Sequence, residues 1–217
     1  DTHPQGDSGA VNEAARLLIA AENPVVIAGR VARTPEGMQR LIAFAEALQA
    51  PVIDQGDNLP SRHPLNQIGG NAALLGNADV VLTLEVENPW GLLHGYRDQQ
   101  ERSYRSNTKD GVKLINMGVN ESYLKANYQN FQRYQEFDLS MEADPETTLP
   151  SLTEAVNRLM TPGRKSQSQE RGKKLADARQ RAFERARVDS TYAWNASPIS
   201  LPRLSAEVWA QVKNEDW

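Results

Sequence analysis

The sequence predicts an α/β fold, a three-layer, Rossmann-like parallel sheet flanked by helices with a helical C-terminal extension. Three observations predict it. Short, continuous apolar runs such as Val25-Val26-Ile27-Ala28 and Val80-Val81-Leu82-Thr83-Leu84 suit strands covered on both faces. Amphipathic segments with the 3, 4, 7 spacing of helices alternate with them. The joints between the two kinds of segment are short, as in chains of β-α-β units.

The elements follow in order. Residues 1–9 are polar and turn-forming and read as a linker. A helix is expected from Ala10 or Val11 to Glu22, with Ala14, Leu17, Leu18 and Ala21 as its buried stripe; Asn23-Pro24 ends it. The strand at 25–28 comes next. Thr34, Pro35 and Glu36 supply an N-cap, a first-position proline and a first-turn acid for a second helix, whose inner face is Met38, Leu41, Ile42, Ala45 and Leu48. Pro51 opens the next strand, where a missing N–H is tolerated. Asn71 to Gly76 reads as a short helix and Asp79 to Leu84 as the third strand. Residues 88–110 read as irregular, with a helix inside Leu92 to Tyr104. Strands follow at Val112 to Met117 and Phe137 to Met141, and Asp144-Pro145-Glu146 opens a helix toward Met160. Thr161-Pro162-Gly163 breaks the chain before a basic helix striped with Leu175, Ala178, Ala182 and Ala186. A last helix is expected over Leu201 to Lys213.

Composition narrows the function classes. With no cysteine, disulfides and thiolate metal sites are excluded, as suits a cytoplasmic protein. No run approaches the ~18 apolar residues of a membrane span. The chain opens on Asp1 without a basic-then-apolar leader, which is expected of a segment cut from a longer protein. The net charge of −4 hides an asymmetry: residues 164–187 carry nine basic residues against three acidic ones. Only Phe183 among the aromatics interrupts that stretch, so it offers no stacking platform and no nucleic-acid partner is expected. His3, His63 and His94 lack metal-ligand spacing, and neither a Gly-x-Ser-x-Gly elbow nor a P-loop occurs. Glu85 with Glu87, and Asp54 with Asp57, follow strands where acid/base pairs are often found; a solvated role is the expectation for each pair. Trp90, Tyr96, Tyr104, Tyr123, Tyr128, Phe131 and Tyr134 are expected to pack loops onto the sheet or to face a partner domain.

The ordered series Glu22-Asn23-Pro24-Val25-Val26-Ile27-Ala28-Gly29, Leu48-Gln49-Ala50-Pro51-Val52-Ile53, His63-Pro64-Leu65, Ala78 to Leu84 and Asn88-Pro89-Trp90 resembles the central domain of thiamine-diphosphate-dependent enzymes of the acetolactate synthase type. The resemblance runs from Val11 to Leu159. A further piece, Pro198 to Leu204, is similar to the lead-in to that family's diphosphate-binding domain. It implies residues 10–160 as the central domain and 161–217 as a basic helix and lead-in. The parent would be a decarboxylase or carboligase of a 2-oxo acid, with thiamine diphosphate and Mg²⁺ held by flanking domains, and a homo-oligomer. The family's Gly-Asp-Gly motif is absent, so the chain is expected to be silent alone.

Members that carry FAD or ADP in this domain use the carboxyl ends of the strands. The resemblance therefore marks Gly29, Arg30, Glu85 and Asn116 as candidate cofactor contacts. In place of a glycine run the sequence has Gly29-Arg30-Val31-Ala32-Arg33, where Cβ atoms at 30 and 31 would crowd a phosphate while the arginines would attract it. Two other readings stand beside the first: a self-standing nucleotide-binding module (FAD, NAD or ADP), and a non-enzymatic interaction domain whose basic helix docks an acidic partner.

Overall fold

A computed structural model describes residues 2–67, 71–98, 103–119 and 135–215. They form α1 (Ser8–Ala20), β1 (Pro24–Ala28), α2 (Pro35–Leu48), β2 (Val52–Asp54), α3 (Asn71–Asn77), β3 (Val80–Leu84), α4 (Pro89–Leu93), β4 (His94–Asp98), β5 (Ser103–Ser106), β6 (Lys113–Gly118), β7 (Leu139–Glu142), α5 (Pro145–Leu159), α6 (Pro162–Ser190) and α7 (Leu201–Val212). Two compact units result, Asp1–Leu175 and Ala176–Trp217.

The first unit is built on a five-stranded sheet of order β2-β1-β3-β6-β7, parallel throughout. Successive residues of β1 point to opposite faces, and both faces are buried. Val26 and Ala28 join Leu18, Leu41, Phe44 and Leu149 in the core on the α1, α2 and α5 side. Val25 and Ile27 join Ile53, Leu75, Val81 and Leu93 in the core on the α3 and α4 side. Burial on both faces is why the strands read as unbroken apolar runs.

Helices α2 and α5 start where the sequence marks them. Thr34 Oγ1 accepts from Gly37 N at 2.9 Å and Asp144 Oδ1 from Thr147 N at 2.9 Å, capping α2 and α5. The buried face of α2 is Gly37, Leu41, Phe44, Ala45 and Leu48, so Phe44 rather than Met38 or Ile42 fills its centre. α1 starts earlier than expected: Asp7 Oδ1 accepts from Gly9 N and Ala10 N, and the helix begins at Ser8. Within the expected linker 1–9, Pro4 O accepts from Asp144 N at 2.8 Å and Gly6 N donates to Thr148 Oγ1 at 3.0 Å. Those bonds tie the segment to the start of α5.

The helix expected inside Leu92 to Tyr104 needs correcting. Residues 94–98 and 103–106 pair instead as an antiparallel ribbon, β4 with β5. A two-stranded ribbon is marginal alone; this one follows α4, whose Trp90 and Leu93 are buried. The basic helix α6 is largely solvated: Leu175 is half-buried against the core, while Ala178, Ala182 and Ala186 are exposed. Its only buried residues are Ser168 and Gly172. In the second unit α7 buries nothing among the described residues, and Leu201, Leu204, Val208 and Trp209 are exposed.

Candidate functional site

From β1 the chain crosses to β2 on one side, while β3 and then β6 lie on the other. The carboxyl ends of β1 and β3 therefore form the switch point, the usual ligand crevice of such sheets. Gly29 follows β1 and Glu85 follows β3, and the two backbones touch. A Cβ on Gly29 would stand 2.0 Å from the Glu85 carbonyl oxygen. Gly29 N donates to Leu84 O at 2.8 Å and Arg30 N to Glu85 O at 3.1 Å. Glycine is needed here for close approach, not for left-handed backbone.

Glu85 does adopt the left-handed conformation, with φ of 48°. Its N–H donates to Met117 O at 2.8 Å, and its Oε2 accepts from Val119 N at 3.0 Å. The expected solvated pair of Glu85 and Glu87 is thus overturned. The turn folds Glu85 back under the end of β6, where it is buried, and leaves Glu87 exposed. Asn116 lies one step inside β6: its Oδ1 accepts from Thr83 Oγ1 at 2.9 Å and its Nδ2 donates to Ser140 Oγ at 3.4 Å. The fold therefore brings Gly29, Arg30 and Glu85 together and holds Asn116 in a rung across β3, β6 and β7. Arg30 has an exposed side chain.

The residue that sequence reasoning missed is Asn58, which is 2 % exposed. Its Oδ1 accepts from Val31 N at 3.0 Å and Ala32 N at 2.9 Å, and its Nδ2 donates to Gly29 O at 2.5 Å and Asp54 Oδ1 at 2.8 Å. Asp54 accepts in addition from Gly56, Asn58 and Leu59 N–H groups. It is a turn organiser, and Asp57 stands apart with φ of 57° and an exposed side chain. The Asp-x-Gly-x-Asn pattern of 54–58 is the local signal of that turn.

Beside it lies an ion network. Arg33 pairs with Asp144 and, at 3.5 Å, with Glu146 Oε2. Glu146 Oε2 also accepts from Arg33 N at 2.9 Å, and its Oε1 from Thr34 Oγ1 at 2.5 Å. Burial opposes ionisation of both acids. For Asp144 the Thr147 N–H and the Arg33 guanidinium outweigh burial; for Glu146 the Thr34 hydroxyl and the Arg33 N–H do so. Both carboxyls are held below their ordinary range.

At the amino end of the sheet, α6 is held by Arg171. Its guanidinium donates to Leu48 O at 2.7 Å, Gln49 O at 2.9 Å and Glu22 O at 3.0 Å, satisfying carbonyls at the end of α2 and just past α1. Burial pushes its pKa down. A Cβ on Gly172 would meet Gln49 Oε1 at 1.7 Å, so glycine lets the helices touch. A pocket of about 450 Å³ adjoins, lined by Glu22, Asn23, Arg164, Gln167, Arg171 and Lys174 among others.

The histidines have local roles. His63 Nδ1 accepts from Leu65 N at 3.2 Å. His94 stacks on Trp90 at 4.5 Å and meets Tyr104 edge-on at 5.4 Å. Those two aromatics pack the β3–β6 connection; Tyr123, Tyr128, Phe131 and Tyr134 lie outside the described residues. No group of three or more His, Asp or Glu among the described residues could hold a metal.

Residues 11–152 match the family described as thiamine pyrophosphate enzyme, central domain. The chain is 36% identical over 104 residues to a sulfoacetaldehyde acetyltransferase of Rhodobacter capsulatus, covering 43% of this chain and 18% of that protein. It is 33% identical over 88 residues to the oxalyl-CoA decarboxylase of Escherichia coli K12, covering 39% and 16%. The chain thus spans under a fifth of the length of these relatives. The benzoylformate decarboxylase structure from Polynucleobacter necessarius superposes with a TM-score of 0.53 at 21% identity, over 72% of this chain and 28% of that one, a likeness of fold.

Proposed function

Because the chain belongs to the thiamine pyrophosphate enzyme central-domain family, we propose that it is the middle part of a thiamine-diphosphate-dependent enzyme that decarboxylates a 2-oxo acid or transfers the resulting acyl unit. The observation that carries this reading is the coincidence of the matched residues, 11–152, with the five-stranded sheet and its covering helices. The relatives named above are an acetyltransferase and a decarboxylase, which supports the pairing of cleavage with acyl transfer.

In this reading residues 10–160 space two cofactor-binding domains, and 161–217 lead toward the second. The cofactor does not fit the residues present. There is no Gly-Asp-Gly motif, and no acidic or histidine cluster for Mg²⁺ among the described residues. In this reading thiamine diphosphate and its Mg²⁺ are held by the flanking parts of the parent, which is a cytoplasmic homo-oligomer. What this chain contributes is a rigid wall. Gly29, Arg30 and Glu85 fix the backbone at the mouth of the sheet and Asn116 braces it from within. No described helix is long and apolar enough to cross a membrane.

The test compares the full reading frame with this chain, each with thiamine diphosphate and Mg²⁺, for CO₂ release from a panel of 2-oxo acids. Turnover by the full protein alone is expected. Turnover by these 217 residues, or calorimetric binding of thiamine diphosphate to them, overturns the reading.

A further inference from the structure

A nucleotide bound at a switch point sets its phosphates against the N–H groups of the turn after the first strand. In this protein each of those N–H groups already has an acceptor. Gly29 and Arg30 donate to the carbonyls of Leu84 and Glu85, Val31 and Ala32 to Asn58 Oδ1, and Arg33 to Glu146 Oε2. A phosphoryl oxygen would have to displace one of these partners, and each is fastened from behind.

Asn58 is buried and donates its own N–H groups to Gly29 O and Asp54 Oδ1, while Asp54 Oδ2 is held by Leu59 N at 2.8 Å. Withdrawing its oxygen from the turn would orphan those groups as well. Glu146 is 7 % exposed and lies so close to α2 that a Cβ on Gly37 would stand 2.5 Å from its carboxyl carbon. Its negative charge would repel an incoming phosphate at the very turn where Arg33 would attract one, and Arg33 is engaged by Asp144 and Glu146. Arg30 remains as the turn's exposed cation, without an N–H cradle beside it.

We propose that the β1–α2 turn is sealed by the chain's own side chains, with Asn58 and Glu146 standing where the oxygens of a nucleoside diphosphate would sit, so that this domain carries no FAD, NAD or ADP at its switch point. The inference rests on the geometry of the turn and is independent of which reaction the parent performs. It separates this chain from members of its family that carry a nucleotide in the same domain.

Two measurements on the full chain test it. Calorimetric titration with ADP and with FAD is expected to give no saturable heat; binding tighter than about 100 µM overturns the proposal. The second compares thermal midpoints in phosphate and in chloride at matched ionic strength for the wild type, Asn58→Ala and Asn66→Ala. Asn66 is a buried asparagine that donates to Leu59 O and does not touch the turn, so it controls for lost stability alone. Phosphate is expected to raise the midpoint of Asn58→Ala only, because only there are two adjacent N–H groups freed. Equal responses in the two variants overturn the role assigned to Asn58. Should Asn58→Ala not fold, Asn58→Ser replaces it in the same comparison.

Discussion

The two ends of helix α2 are closed by opposite chemistry. At its N-terminus, orphan N–H groups and the turn before them meet acceptors: Thr34, Glu146 and Asn58. At its C-terminus, the last two carbonyls, those of Leu48 and Gln49, meet one donor, the forked guanidinium of Arg171, which arrives from α6. The first closure uses several side chains from the loops and from α5, and every N–H from Gly29 to Arg33 in the β1–α2 turn is occupied. The second uses a single long side chain from one helix and leaves a pocket of about 450 Å³ alongside. A closure assembled from many short groups is rigid and local. One made by a long arm can be undone by a single substitution, and it determines how α6 is held.

Gly29→Ala should have the largest effect, since the added Cβ meets backbone on β3 that cannot step aside. A loss of about 4 kcal/mol or failure to fold is expected by denaturant unfolding, and a near-neutral result would mean the switch point is looser than described. Arg171→Ala comes next, at about 2 kcal/mol, because three carbonyls lose their donor together. Hydrogen exchange should then rise across residues 164–175. Arg171→Lys should restore little, since an ammonium cannot span three acceptors set for a planar fork.

Acid should weaken the N-terminal closure first. Asp144 and Glu146 have lowered pKa values in the folded state, so their stabilisation is complete above the ordinary carboxylate range and is lost as pH falls through and below it, from about pH 4 downward. Glu146→Gln should flatten that part of the stability-against-pH curve, whereas Arg171→Ala should leave its shape unchanged. The smallest effect is expected for Arg164→Ala. Its side chain rims the pocket and, among the described residues, bonds Gln167 alone at 3.2 Å, so the thermal midpoint should not move measurably.

The same contrast explains what the sequence could disclose. α2 and α5 were legible from Thr34-Pro35-Glu36 and Asp144-Pro145-Glu146, because caps and first-turn prolines are local signals. The strands at 24, 80 and 113 were legible because burial on both faces writes itself as an apolar run. The β4–β5 ribbon was not, since its pairing depends on a partner across a connection and not on its own periodicity. Asn58 looked like one more turn residue; nothing nearby announces that its oxygen reaches Val31 and Ala32 across the β2 end. Glu85 misled for a related reason: a left-handed turn reverses the direction that strand alternation assigns to its side chain.

Strands that are greasy on both sides carry little information about how they should be aligned, because a shift by one residue exchanges one apolar face for another. The bonds from Thr83 to Asn116 and from Asn116 to Ser140 supply what the aliphatic runs lack. Sliding β6 against either neighbour would strand an amide in hydrocarbon. Three modest polar side chains thereby act as an alignment key for the middle of the sheet, and through it for every loop at the sheet's rim.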